Sequence, residues 1–305
     1  MMYDMNFELL TMLYYYFKRH ETYERLDEFI LNLSALYKNE CFLGGIVNLF
    51  FTNEDKMKEN LDIKQEEIED VTSLFEKSIR LLENMKTLEI IPESVNLLYG
   101  IEGLNHIENE DMLIKLYNMG LRSISNSYLN DKEELTTKDL ELIKKAIELR
   151  MIININKTSY ESLSKVINLI NECEEHEPIV IFNEDNIDEL KKLENASYYI
   201  LVIQNKNGES KEEKERNFIN RIKQIKDDEF FSNDKIILCK TNRYFSPKVE
   251  IPILAKDENN SNYLRKSIIN EFGIEFANQI MKKNASLIFD KVLTKERQKQ
   301  KEYIA

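Results

Sequence analysis

The chain has 305 residues, 42 % of them hydrophobic and 32 % charged, with seven Gly, four Pro and a formal net charge of −13. That length and apolar content allow one sizeable core, and favour a single α/β barrel over two separate ones. The acidic balance, with lysines interspersed among Glu and Asp, excludes nucleic acid as the main partner, because phosphate binding needs a clustered positive field.

The opening MMYDMNFELLTMLYYYF is apolar, but Asp4 and Glu8 interrupt it, and it has no basic leader and no small-residue cleavage site, so it does not read as a signal peptide. No run reaches the ~20 consecutive apolar residues that cross a bilayer. Cys41, Cys173 and Cys239 are widely spaced, with no CxxC pair, and predict reduced thiols rather than a disulfide framework or a thiolate zinc site. The expectation is a soluble cytoplasmic protein without a membrane partner.

Met2 to Met5 opens a first strand, and a long helix follows over residues 9–37, where Leu26, Phe29, Ile30, Leu33 and Leu36 recur at helical spacing. The unbroken apolar run from Cys41 to Phe51 predicts a second strand buried on both faces. A helix over 65–85 leads to a third strand at Val95–Tyr99, a helix over 109–119 to a fourth at Arg122–Ser125. Thr136 with Asp139 forms a capping box for the next helix, which ends near Arg150, and Thr158 with Glu161 repeats the device for a helix over 159–171. Strand five lies between them. Strand six follows at Pro178–Phe182, a short helix at 186–193, and strand seven at Ser197–Ile203. The polar, charge-dense stretch 205–215 predicts a surface loop before a helix over 215–225. Lys235–Cys239 is an eighth strand candidate. Eight strands alternating with helices predict a (β/α)8 TIM barrel over residues 1–293, with extra C-terminal helices and a charged tail over 294–305.

Several segments carry a resemblance. Gly100-Ile101-Glu102-Gly103, then Asp111-Met112-Leu113 and Leu116 to Arg122, are similar to the "EGG…L…Y.LGVR" region of the membrane (renal) dipeptidases, zinc metallopeptidases of the amidohydrolase superfamily. Leu135-Thr136 and Arg150 to Lys157 correspond to that family's "GLT…LGMIVDVSH", and Pro178 to Asn183 to its "PVIASH". Asp4 to Glu8 lies where the family opens with Asp-x-His-x-Asp. Asn262 to Arg265, Glu271 to Ile274 and Lys283 to Ala285 resemble its closing helices.

The resemblance implies a (β/α)8 barrel whose dinuclear zinc centre hydrolyses dipeptides, held by imidazoles and carboxylates at the strand ends. Carried over by position, Asn6 replaces the first His, Glu8 the Asp and Glu102 the bridging Glu. Lys157 and Asn183 replace the other two His, and the last Asp falls on Thr241 or Asn242. Tyr128 stands for the histidine that follows strand four, and Asn183-Glu184-Asp185-Asn186 stands where the family's carboxylate-gripping Arg would be. Acidic groups there repel a dipeptide carboxylate. The chain's three histidines, His20, His106 and His176, miss every ligand position, and only His106 lies near a strand end.

Lys157 carries one positive charge towards Glu8 and Glu102, which reads as a structural counter-charge where metals would sit. A catalytic amine is the sharper reading, but neighbouring carboxylates raise rather than depress an ammonium pKa. Cys239 is expected to be an inert thiol, Tyr14 to Phe17 core or interface aromatics, and the acidic runs 66–69 and 172–177 solvated faces. The expected function is a dipeptidase-like protein without the zinc centre and without a cofactor, binding a small ligand or peptide, with a homodimer implied by the resemblance. The alternatives are a working hydrolase, either a dipeptidase with a metal site rebuilt from Glu8, Glu102, His106 and Asp185 or one acting on a related amide or other substrate, and a purely structural subunit.

Overall fold

The computed structural model describes residues 2–7, 10, 11, 14, 42–50, 64, 68–125, 134–155, 158–176, 178–183, 187–194, 198–202, 210–234, 236–238 and 258–292. Among the described residues, seven strands form one sheet in sequential order: β1 (Met2–Phe7), β2 (Phe42–Phe50), β3 (Asn96–Glu102), β4 (Leu121–Ser125), β5 (Ile152–Asn154), β6 (Ile179–Asn183) and β7 (Tyr198–Val202). Every neighbouring pair is parallel. Parallel neighbours in chain order require a crossover each time, and between β2 and β7 helices supply it: α1 (Val71–Thr87), α2 (Glu110–Asn118), α3 (Thr137–Glu148), α4 (Tyr160–Glu172) and α5 (Ile187–Leu190); α6 (Lys211–Lys226) follows β7. Beyond them come α7 (Glu258–Phe272), α8 (Ile274–Asn278), one π-helical turn (Gln279–Lys283) and a last helix, α9, over 284–292.

Two apolar clusters show how the sheet curls. The larger lies between the sheet and its helices, joining alternate strand residues such as Leu97, Ile101, Ile124, Ile153 and Val180 to Phe75, Leu116, Ile143 and Val166. The smaller joins Tyr3 of β1, Ile46 of β2, Leu98 of β3, Ile152 of β5, Ile179 and Ile181 of β6, and Ile237 to Ala285, Ile288, Phe289 and Val292 of α9. Residues from strands that far apart in one sheet meet only if the sheet closes round on itself, so this second cluster is the interior of a (β/α) barrel, with α9 packed into it.

Local signals explain the helix limits. Asp70 caps α1 by accepting from the N–H groups of Thr72 and Ser73, both at 3.0 Å, so the helix starts at Val71 rather than at residue 65. The Thr136–Asp139 capping box of α3 is formed in both directions. The expected second box is not: Ser159, not Thr158, caps α4, accepting from Ser162 N at 3.3 Å. Helix α6 also starts earlier than its charge density suggests, at Lys211 behind the Ser210 cap, because Glu212 and Glu213 favour the first turn of a helix and Lys223 and Lys226 the last.

Strand β3 runs three residues past Tyr99, through Gly100 to Glu102. Of the eighth strand candidate, Ile236 forms a single bridge, Ile237 and Leu238 are not in a strand, and Lys235 and Cys239 lie outside the described residues. The helix expected over 9–37 is described at Leu10, Thr11 and Tyr14, all helical; the tail 294–305 lies outside the described residues. Glu69 is not a solvated acid as expected. It is mostly buried and collects hydrogen bonds from the Tyr14 hydroxyl, Ser73 Oγ and Lys77 Nζ, which tie the first helix to α1. Among the described residues no helix is long and apolar enough to cross a membrane.

Candidate functional site

A parallel barrel keeps its chemistry at the C-terminal ends of its strands, where the loops that vary between proteins also gather. Side chains alternate along a strand, so the interior face follows from Ile46, Leu98 and Ile152, which belong to the inner cluster. Two positions further along β2 and β5 the same face carries Asn48 and Asn154. Along β3 it carries Gly100 and then Glu102. Ser123 pairs with Gly100 and Ile152, and Ser125 with Glu102 and Asn154, so both serines share that face.

The register arranges these groups in two tiers. The lower runs Asn48, Gly100, Ser123 across β2, β3 and β4; the upper runs Glu102, Ser125, Asn154 across β3, β4 and β5. All the side chains are buried, Asn48 2 %, Ser123 2 %, Glu102 3 %, Asn154 4 % and Ser125 9 % exposed. Gly100 is a space requirement. A Cβ built there would lie 1.9 Å from Asn48 Oδ1 and 3.0 Å from Ile46 Cγ2, so the carboxamide of Asn48 lies across a strand that has no side chain at that point.

The chain leaves β3 by a sharp turn that keeps Glu102 in place. Gly103 N–H still bonds across to the Ser125 carbonyl at 3.1 Å, and its φ of +131° then sends the backbone into a short 3-10 turn, Leu104–His106. His106 is half-buried at this end of the barrel. Burial first, and the neighbouring Lys138 second, lower its pKa from the usual histidine value, so the neutral imidazole is favoured. Lys138 Nζ also donates to the Asn105 carbonyl at 3.2 Å, tying this turn to the start of α3.

Of the positions singled out from the sequence, Glu102 is buried as the last residue of β3. Asn6 lies in β1 and Asn183 is the last residue of β6, paired with Val202. The side chains of both, and Glu8, Tyr128, Lys157, Asp185, Cys239, Thr241 and Asn242 altogether, lie outside the described residues, as does His20. His176 lies in the 3-10 turn Glu174–His176 that leads into β6, at the opposite end of the sheet from Glu102. Sequence reasoning missed Asn48, Ser123, Ser125 and Asn154. Their signal was present: in GGIVNLF, LRSIS and IININ a polar residue interrupts the apolar run with a period of two near its C-terminal end.

Among the described residues, the C-terminal end of the interior face offers the Glu102 carboxylate, the carboxamides of Asn48 and Asn154 and the hydroxyls of Ser123 and Ser125. Hydrolytic zinc is held by imidazole and carboxylate, and carboxamide and hydroxyl oxygens are weak ligands for it. Among the described residues no three His, Cys, Asp or Glu side chains come together to hold a metal ion. The described donor set therefore does not fit a dinuclear zinc centre. It suits hydrogen bonding to a polar guest, since amide and hydroxyl groups both donate and accept.

The sequence matches no protein-family model and no curated protein. Solved structures do match. An amidohydrolase from Pseudomonas aeruginosa superposes with a TM-score of 0.56 at 9 % identity, over 85 % of this chain and 92 % of its own. A putative 2-pyrone-4,6-dicarboxylic acid hydrolase from Pseudomonas putida gives 0.52 at 9 % identity, over 94 % and 97 %. A hydrolase of the TatD family from Entamoeba histolytica gives 0.51 at 12 %, over 92 % and 95 %. At such identities the likeness is one of fold. This chain shares the (β/α) barrel fold of these three structures.

Proposed function

We propose that this chain is a dipeptidase-like barrel without the dinuclear zinc centre, and that it binds a small polar ligand or peptide at the C-terminal ends of its strands. The observation that carries this reading is the tier Glu102, Ser125, Asn154: three adjacent strands end in buried polar groups, of which one is a carboxylate and none an imidazole. A metal-dependent hydrolase uses its metal to polarise the carbonyl and to lower the pKa of the attacking water; amides and hydroxyls can hydrogen-bond a carbonyl but do not generate hydroxide at neutral pH.

Lys157 belongs to the same proposal. It follows Asn154 by three residues, and Asn154 is two strands from Glu102 in the upper tier. A side-chain ammonium there supplies the positive charge that metal ions supply in active relatives of the fold. A buried carboxylate that loses its counter-charge costs about 3–5 kcal/mol. The reading also includes a homodimer and a cytoplasmic location.

Two measurements test it. Protein purified without chelator is expected to carry well under one zinc per chain and to leave dipeptides intact in added zinc; about two zinc ions per chain with turnover overturns the reading. Lys157→Met is expected to lower stability by about 3–5 kcal/mol, with most of the loss recovered when Glu102→Gln is added. Additive effects of the two substitutions remove Lys157 from the account.

A further inference from the structure

A small cavity of about 10 Å3 lies at the C-terminal ends of β4 and β5, between the sheet and helices α3 and α4. Aliphatic side chains make up much of its wall: Ile124 of β4, Ile153 of β5, Ile143 of α3 and Val166 of α4, all members of the larger apolar cluster. Three polar residues border it too, Ser125, Asn154 and Thr158. None of these residues is more than 9 % exposed, so the space belongs to the interior. We propose that this cavity binds a single water molecule, held by Thr158 together with Ser125 and Asn154, which joins the upper tier to the start of α4.

Size and polarity together select the guest. A space of about 10–15 Å3 is the least that admits one water, and it excludes anything larger. A wholly apolar cavity stays dry, because a water inside it gives up its hydrogen bonds and gains none. A water settles where roughly two to four polar partners surround it, and three residues able to supply them border this cavity. Ser125 and Asn154 make interactions of their own. A hydroxyl donates once and accepts twice, and a carboxamide donates and accepts twice, so both retain capacity for a water besides.

Thr158 is the residue on which the proposal turns. It stands next to Ser159 and is as competent to cap α4, yet Ser159 makes the cap, accepting from Ser162 N at 3.3 Å. Thr158 N–H donates to the Ile155 carbonyl at 3.4 Å, which holds the residue over the end of β5. Its side chain is buried there, and among the described residues none hydrogen-bonds its hydroxyl. A buried hydroxyl without a partner is unfavourable, and a bridging water supplies one nearly as good as a protein group. The water lies on the helix side of the sheet, so it supports Ser125 and Asn154 from behind while their interior face is left to the site.

A high-resolution crystal structure of the full-length protein tests this. The wild type is expected to show one ordered water within hydrogen-bond reach, about 2.5–3.2 Å, of Thr158 Oγ1 and of a polar atom of Ser125 or Asn154. Thr158→Val keeps the shape of the side chain and removes the hydroxyl, so that water is expected to be lost; Thr158→Ser, which keeps the hydroxyl, is expected to retain it. Should Thr158→Val not crystallise, water magnetic relaxation dispersion decides in solution: it counts waters with long residence in the protein, and the variant is expected to hold one fewer than the wild type. A dry cavity in the wild type, a side chain filling the space, or a water unaffected by Thr158→Val in either measurement overturns the proposal.

Discussion

Gly100 and Asn48 are coupled through space that only one of them can occupy. Because a methyl group at position 100 would lie 1.9 Å from Asn48 Oδ1, Gly100→Ala is expected to cost about 1–3 kcal/mol, the range for overpacking a filled interior. In an Asn48→Ala background the penalty is expected to shrink by at least about 1 kcal/mol, since the clashing atom is gone. Urea denaturation of the four proteins checks this, and an undiminished penalty shows that the Ile46 contact sets it. His106 provides a pH signature. Its folded pKa lies below its unfolded value because burial and then Lys138 disfavour the imidazolium. The unfolded chain therefore binds the proton more readily, so the stability His106 contributes is full above its unfolded pKa and is lost as pH falls below it. Stability measured from about pH 7.5 down to pH 5.5, above the bulk of carboxylate titration, is expected to decline in the wild type and to decline less in His106→Gln.

The helix starts show how far local chemistry governs an element. In α3 the Thr136 hydroxyl accepts from Asp139 N at 3.2 Å and donates to Asp139 Oδ2 at 2.7 Å, while Thr136 N donates to that same oxygen at 2.9 Å. Thr136→Ala removes two of these three bonds and leaves a buried carboxylate short of donors. It is expected to cost about 1–2 kcal/mol, and Ser159→Ala, which loses one bond in α4, about 0.5–1 kcal/mol. Thermal unfolding ranks the pair, and the reverse order contradicts the assignment. These caps were largely legible in the sequence, because a cap is a contact between residues three apart. The exception is α4, where Thr158 and Ser159 are both competent and only the backbone conformation distinguishes them: Ser159 N-caps the helix, while Thr158 turns inward and is buried. Strand β3 was legible at its apolar start and not at its end, since Gly100 and Glu102 both look like a strand terminus until the neighbouring strands are in place.

Charge acts on the molecule as a whole. At a net charge of −13 the folded chain concentrates like charge in a smaller volume than the unfolded one. Most of the ion pairs described involve exposed partners, such as Arg80 with Glu76 and Lys165 with Glu134, and contribute little each. Screening therefore relieves more repulsion than it removes attraction, and the unfolding midpoint at pH 7 is expected to rise by a few degrees between about 10 and 150 mM NaCl. A flat or falling midpoint shows that the surface pairs outweigh the general repulsion.

From the amino acids alone, the alternation of strand and helix and the barrel class could be derived, because period, caps and turn residues act over a few positions; Glu102 was singled out only through the family resemblance. Nothing in the linear order places Asn48 across Gly100 or aligns Ser125 between Glu102 and Asn154. Those relations depend on register between strands and on the closure of the sheet, and they arise only when segments distant along the chain pack against one another.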